Sequence, residues 1–438
     1  MSTDPRQIIA NAPMSVLQVI AVAITVGLNA LDGFDVLSIS FASPGIAEEW
    51  GINRAELGIV LSMELIGMSI GSLFLGGLAD RIGRRNTILG CLVFMAVGMW
   101  MAAASSNVVQ LSVWRVFTGL GIGGVLAAIN AVVAEFSNAK NRNLNVSIMA
   151  MGYPFGAVTG GMVAASLLKG GEWRSVFHFG AIVTAAFIPL VWFLVPESVA
   201  WLATKQPAGA LKKINAAMRR MGHAAIDALP TLGADASGKK EGSSNIFSPQ
   251  MIRTTILVGM AYFFHITTFY YVLKWVPKIV VDMGFDAVAG ANVVVWTNVG
   301  GLLGGGMVGL LTHKLNLRIV TSFVLVGSTI MILVFGRGYS DIATLSAVCA
   351  VAGFFMNGAI NGLYAIFAQI FPAEMRASGT GFAIGIGRGG SVLSPIVAGF
   401  LFEAGNGLAV VSTAMAFGSL IGLACIWGLR MPKDRVLH

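Results

Sequence analysis

The chain has 438 residues, is 56% hydrophobic and only 11% charged, and has a mean hydropathy of +0.80. Soluble domains are about 45–50% apolar and about 25% charged, so this composition excludes a soluble globular enzyme and describes a polytopic membrane protein. The net charge of +8 sits in short polar breaks rather than on a basic soluble module, which excludes a nucleic-acid binder.

Met1 to Pro13 is polar and leads into a long apolar segment with no small-residue cleavage site, so no processing is expected. A spanning helix needs about 20 apolar residues. On that basis twelve spans are predicted, at roughly 15–43, 55–79, 86–105, 108–136, 144–168, 174–195, 252–281, 287–311, 318–337, 341–370, 377–403 and 407–429. Pro196 to Gln250 is the one long hydrophilic stretch, with a Gly/Ser-rich end at Ser237–Ser244. The expected organisation is an amino-terminal six-helix half over 1–195, a cytoplasmic linker over 196–250 and a carboxy-terminal six-helix half over 251–438. Leu211 to Met221 reads as a short amphipathic helix on the membrane surface. Cys91, Cys349 and Cys425 lie in apolar runs without paired spacing and read as packing residues.

Loop charge sets the expected orientation. The side carrying both termini holds 20 Lys/Arg and the opposite side 6, with Lys274 and Lys278 counted in the connection after span 7. The excess of basic residues places both termini in the cytoplasm. An internal repeat supports two parallel halves. Gly76–Arg85 after span 2 matches Gly309–Arg318 after span 8, and Glu135/Arg142 after span 4 match Gln369/Arg376 after span 10. The offsets are 233 and 234 residues. The fold class expected is an all-α polytopic membrane protein of twelve transmembrane helices in two pseudo-symmetric halves. In such transporters substrate sits between the halves near the midplane.

Gly76-x3-Asp80-Arg81-x-Gly83-Arg84-Arg85 resembles the loop signature of the major facilitator superfamily. Arg115-x3-Gly119-x-Gly121 resembles its span-4 motif, and Gly152-Tyr153-Pro154-x-Gly156-x3-Gly160-Gly161 its span-5 motif. Val195-Pro196-Glu197-Ser198 resembles the end of span 6 in sugar-porter-like members. Asp32-Gly33-Phe34-Asp35 in span 1 is similar to the motif of the aromatic acid:proton symporter family, which imports benzoate-type and hydroxybenzoate-type acids. The resemblance implies the major facilitator fold and alternating access. One departure is His313, which stands where the first loop copy has Asp80.

Acids within a membrane helix cost about 2.5–3.5 kcal/mol each on insertion scales. At about 1.5 Å per residue, Asp32 lies ~26 Å from the cytoplasmic end of its span, Glu64 ~24 Å and Arg115 ~30 Å. With Asp35 they form a candidate proton-coupling cluster at one height. Burial and like charge favour a carboxyl's protonated form, while a nearby arginine favours its carboxylate. The competing reading is that Asp35 and Glu64 simply reach water near a span end, that Gly33 breaks the helix, and that Arg115 is only a structural partner.

The other half differs in sign. Arg388 is ~17 Å into span 11 and His265 ~20 Å into span 7. A midplane arginine needs a counter-ion, and no acid stands at that depth in the carboxy-terminal spans. An anionic substrate gripped through its carboxylate is one candidate; backbone carbonyls or an acid of the other half are the alternatives. His265 is either a site residue or a satisfied packing histidine. Phe264 and its aromatic neighbours suit an aromatic ring, or equally lipid. Asn357, Asn361 and Tyr364 share a face of span 10 and line a cavity or glue helices. Tyr153 joins them as a candidate lining residue. At the cytoplasmic ends, Asp80, Arg84, Arg85, Glu135, Arg142, Glu197 and Arg376 read as a gate of breakable ion pairs, partly through the resemblance, or as solvated loop charge.

The function expected is a proton-coupled symporter importing small organic anions, with aromatic carboxylates implied by the resemblance. It would act as a monomer in the bacterial inner membrane, with an organic acid and protons as its partners and no cofactor. A proton-coupled transporter of a neutral solute such as a sugar is the alternative. A non-transporting receptor is disfavoured by the short Gly/Ser-rich linker. No nucleophile–base or metal-ligand set in the spans suggests an enzyme.

Overall fold

The computed structural model describes residues 4–230 and 246–430, apart from 313, 373 and 374, and for 376 and 377 the backbone alone. His313 and the Gly/Ser-rich end of the linker therefore lie outside the described residues. The elements in chain order are α1 (Pro5–Asn11), α2 (Val16–Trp50), α3 (Arg54–Ile82), α4 (Arg84–Ala103), α5 (Val108–Phe136), α6 (Arg142–Leu168), α7 (Arg174–Leu194), α8 (Val199–Lys205) and α9 (Ala210–Arg220). They continue with α10 (Ile252–Asp282), α11 (Ala287–Leu311), α12 (Leu317–Phe335), α13 (Ile342–Ile370), α14 (Arg376–Glu403) and α15 (Leu408–Gly428). Twelve of these, α2–α7 and α10–α15, are long and apolar enough to cross a membrane. They match the predicted spans in order.

Local chemistry sets several ends. Asn107, Asp286 and Asp341 cap α5, α11 and α13, each accepting the N–H three residues on. Such a cap adds about 1 kcal/mol. α2 overruns its expected end and continues through Pro44 to Trp50. Gly33 does not interrupt it, so Asp32 and Asp35 stand on one unbroken helix.

The chain forms two compact units: residues 1–36, 66–156 and 177–241, and residues 37–65, 157–176 and 242–438. Backbones in both approach at glycines. In the first unit, a Cβ on Gly156 of α6 would lie 1.8 Å from the Ala30 carbonyl oxygen of α2. A Cβ on Gly67 of α3 would lie 2.1 Å from that of Val116 on α5. In the second, Gly300 and Gly304 of α11 face the carbonyls of Ala350 and Phe354 on α13 at 1.8 and 1.9 Å in the same sense. This is the small-residue packing expected between helices that gain nothing by hiding from lipid.

The amphipathic stretch is a helix, α9, but its apolar face is not turned to a membrane surface. Ile214 and Met218 are fully buried by protein, while Lys212, Lys213, Arg219 and Arg220 stay exposed. The following segment folds back on it: Asn215 and Ile226 exchange two hydrogen bonds of 2.9 Å. His223 then reaches α2, with Nε2 3.0 Å from Gln18 Oε1. The Gln18 amide nitrogen donates to the Phe136 carbonyl at 2.9 Å, so the histidine nitrogen is the donor to Gln18.

Two predictions follow from this packing. Gly156→Ala should cost about 1–3 kcal/mol, because the new methyl meets backbone and cannot be relieved by a rotamer change. Gly90→Ala, with open space around its Cα, should be neutral; thermal unfolding of the purified protein reads both. Burial holds the His223 imidazole below its ordinary pKa. The undocked segment therefore takes up a proton first as pH falls through the ordinary histidine value, and docking weakens on the acid side. Hydrogen exchange over 221–230 should accelerate from pH 7.5 to about 5.5. His223→Gln, which keeps the hydrogen bond but has no proton to gain, should abolish that dependence.

Candidate functional site

In the first unit, Asp32 and Asp35 are both buried, at 3% and 0% exposure, which removes the wet alternative for Asp35. Arg115 of α5 is fully buried beside them. Its Nη2 donates to the backbone oxygen of Asp35 at 3.0 Å, and its Nη1 lies 3.0 Å from the sulfur of Met99. The guanidinium sits 5.2 Å from the centre of the Phe177 ring, a cation–π arrangement worth more once desolvated. Gly180 of α7 leaves the space the cluster occupies. A Cβ there would be 2.2 Å from Met99 Cε and 3.4 Å from Asp35 Oδ1. The sequence-based pairing of Arg115 with the acidic motif is thus present, built from α2, α4, α5 and α7. Tyr153 is half-buried one position beyond Gly152, whose lack of a side chain lets α6 sit on Val26 and Asn29 of α2.

The second unit holds the candidate basic residue. Arg388 of α14 is half-buried and within electrostatic reach of Tyr262 and Tyr364. Those two tyrosines join α10 to α13 through a hydroxyl–hydroxyl hydrogen bond of 2.7 Å. Gly387, just before Arg388, lies under the Tyr262 ring: a Cβ there would be 2.2 Å from it. Tyr364 is 38% exposed, and Asn361 is exposed beside it. Asn357 and Asn361 each cover a glycine of α11, Gly301 and Gly305 respectively, so they serve helix contact as well as the candidate site. Phe264 is half-buried and packs edge-on against Phe263 at 5.3 Å.

His265 takes the packing arrangement. It is fully buried, with Nε2 3.0 Å from the Met356 carbonyl and Nδ1 3.0 Å from Ser419 Oγ. The carbonyl only accepts, so Nε2 carries the proton and Nδ1 accepts from the serine. Ser419 lies 3.1 Å from Ser328, and the chain of contacts ties α10 to α13, α15 and α12. Both ring nitrogens are used, leaving neither for a substrate.

Five of the seven candidate gating residues meet in the first unit. Arg84 pairs with Asp80 at 2.7 Å and Glu135 at 3.2 Å. Glu197 accepts the N–H groups of Arg84 at 2.8 Å and Arg85 at 3.2 Å, capping the start of α4 with negative charge. It can reach them because Gly83, at φ 103°, has no side chain; a Cβ there would be 2.3 Å from the carboxylate. Arg85 also stacks on Trp192 at 5.0 Å. Arg142 is exposed and stands outside the ion pairs of the described residues. The Arg376 side chain lies outside them.

Two charged residues were misplaced by counting loops, since Lys274 and Lys278 both lie inside α10. Lys274 is not in a connection but inside α10, with no exposed surface. Its Nζ lies 3.7 Å from Glu64 Oε2 of α3, also fully buried. Glu64, grouped by depth with Asp32, Asp35 and Arg115, thus has an ion-pair partner on a carboxy-terminal helix. The signal available was that Lys274 falls eight residues inside the apolar run ending at Asp282. Around the same end, Arg54 pairs with Asp282 at 3.1 Å and its N–H donates to Glu403 at 3.1 Å. Lys278 also pairs with Asp282. Ser62 donates to the Val392 carbonyl at 2.8 Å, and Gly58 faces the Pro395 carbonyl. A cavity of about 600 Å³ lies among these groups, lined by Pro44, Glu48, Arg54, Lys278 and Glu403.

The sequence pattern of the Major Facilitator Superfamily matches residues 25–336. The chain is 29% identical over 413 residues to a gallate transporter of Pseudomonas putida, covering 94% of this chain and 92% of that one. It is 29% identical over 398 residues to the 4-hydroxybenzoate transporter PcaK of Acinetobacter baylyi, covering 89% and 86%. A solved D-xylose–proton symporter superposes with a TM-score of 0.74 at 19% identity, covering 96% of this chain and 99% of that one. Twelve spanning helices, the loop and helix motifs at their ends, and these matches place the chain in the Major Facilitator Superfamily, as a multi-pass membrane transporter rather than an enzyme.

Proposed function

We propose that the protein is a proton-coupled symporter that imports small aromatic carboxylates by alternating access. The observation that carries this reading is likeness along almost the whole chain to transporters named for gallate, 4-hydroxybenzoate and benzoate. The solved xylose symporter shares the fold at 19% identity and says nothing of substrate. Candidate residues in each unit supply the chemistry. Arg388 offers the carboxylate a charge-assisted, bidentate partner, and Tyr262, Tyr364 and Phe264 offer the ring apolar and edge contacts. Asn357, Asn361 and Tyr153 add polar contacts that fix its orientation. In the first unit, Asp32 and Asp35 take up and give back the coupled proton. Arg115, already bound to the Asp35 backbone, sets how readily they do so.

In this reading residues 1–195 and 251–438 are the two rocking halves, joined by 196–250, in the bacterial inner membrane with both termini cytoplasmic. The protein works as a monomer. The ion pairs of Arg84 with Asp80 and Glu135, together with the Glu197 cap on the Arg84 and Arg85 N–H groups, hold the cytoplasmic ends and break on opening. The membrane potential contributes about 2.3 kcal/mol per charge per 100 mV, so a second proton per monovalent anion makes uptake voltage-driven.

Proteoliposome uptake tests the assignment. The wild-type protein should accumulate benzoate, 4-hydroxybenzoate or gallate under an inward proton gradient and leave a hexose outside; the reverse selectivity overturns the substrate class. Arg388→Ala should raise the half-saturating concentration about tenfold or more, the loss of one good charge-assisted contact. Arg388→Lys should recover part of it. Asp32→Asn should abolish gradient-driven accumulation while leaving exchange of labelled for unlabelled substrate, and undiminished accumulation in that variant removes Asp32 from coupling. An acid that binds at 100 times its Kd should also stabilise the purified protein by about 2.7 kcal/mol, read as a rise in melting temperature.

A further inference from the structure

The start of α3 is capped partly by its own residues and partly by a distant helix. The Glu56 N–H donates to Asn53 Oδ1 at 2.8 Å, and the Asn53 N–H to Glu56 Oε2 at 3.1 Å. This reciprocal box satisfies two of the free N–H groups at the helix start. The N–H of Arg54, the first helical residue, goes instead to Glu403 of α14 at 3.1 Å. The Arg54 side chain reaches α10, with Nη2 3.1 Å from Asp282 Oδ2. Its guanidinium lies 5.3 Å from the Phe402 ring of α14, which packs on Trp275 of α10 at 5.1 Å. Glycines set α3 directly on α14 just inward: a Cβ on Gly399 would lie 2.5 Å from the Arg54 carbonyl oxygen, and one on Gly58 2.4 Å from that of Pro395. Residues 37–65, which include this end of α3, form one compact unit with the carboxy-terminal helices, whereas residues 66–156 do not.

Asp282 and Glu403 are the last residues of α10 and α14. A carboxylate there meets the negative end of its own helix dipole. Both are turned to the positive start of α3, which offsets that penalty. The tie is also easy to release. The Arg54 and Asp282 side chains are 42% and 29% exposed, and pairs this open to water are individually weak and screened by salt. On separation Lys278 still pairs with Asp282, the Asn53–Glu56 box keeps the start of α3 formed, and Arg54 and Glu403 pass into water at helix ends.

We propose that the Arg54 cluster is the outer latch of the transport cycle. It holds α3 against α10 and α14 in the state seen here, and it lets go when this end opens to admit substrate. It stands at the opposite end of α3 from the ion pairs of Arg84, and the cavity of about 600 Å³ beside it brings water to its charged groups. It rests on alternating access, whichever acid is carried.

The test reads how often this end opens. Ser62 is fully buried about two turns inward of Arg54, and its hydroxyl donates to the Val392 carbonyl of α14 at 2.8 Å. Ser62→Cys in the full-length protein reports opening by its rate of reaction with a membrane-impermeant maleimide. Cys91, Cys349 and Cys425 are buried and report general unfolding. Adding Arg54→Gln should raise the Ser62→Cys labelling rate about fivefold, the shift expected from losing one partly exposed pair. Asp282→Asn should act alike, and the two together should add little to either, because both remove one interaction. With the cluster intact, labelling should quicken as NaCl rises from about 0.05 to about 1 M, and with Arg54→Gln it should not respond. Equal labelling with and without Arg54 at low salt overturns the latch. So does a parallel rise at the three native cysteines, which marks loosening of the whole protein. Failure of the wild type to take up benzoate, 4-hydroxybenzoate or gallate overturns the substrate reading alone and leaves the latch standing.

Discussion

A charge that cannot reach water must be neutralised where it sits, and in a chain with so few charges each buried one constrains the helices around it. Arg115 shows the consequence most fully. Its guanidinium takes a backbone carbonyl from α2, a thioether from α4 and a ring face from α7. Four helices are thereby held in one register around Asp35. Lys274 and Glu64 impose the same condition on α3 and α10, and His265 an uncharged version of it on four carboxy-terminal helices.

These polar demands are met because glycine lets the backbones come close enough. The Met99 side chain that contacts Arg115 packs against Gly180, and Tyr262 lies over Gly387 next to Arg388. The close α2–α6 and α11–α13 contacts, at Gly152 and Gly156 and at Gly300 and Gly304, have the same origin. Lipid offers apolar surfaces no reason to associate, so close packing and polar contact do the work that the hydrophobic effect does in water. Several of the candidate site residues lie at those close-packed seams.

Much of the fold was legible in the order of residues. Hydropathy sums over about 20 neighbours, so the twelve spans emerge from local information alone. Depth counting also brought Asp35 and Arg115 together correctly, because a helix rises uniformly and both helices continue unbroken past the motif. Counting failed at Lys274, since a basic residue near a span end is read as loop until something shows it buried. It failed for α9 as well: an amphipathic face reports that it will be covered, and not whether lipid or protein covers it. Arg142 shared its spacing with true ion-pair members and stands apart from them.

The sequence by itself determined the class, the number of spans and the placement of acids in one set of helices and a mid-depth arginine in the other. It did so because composition, periodicity and rise per residue are local properties. The tertiary structure alone decided the partners: Glu64 with Lys274, His265 with Met356 and Ser419, Glu197 with the start of α4. Each of those contacts joins residues about 90 or more positions apart, and no local pattern encodes which distant group will neutralise a buried charge or satisfy a buried nitrogen.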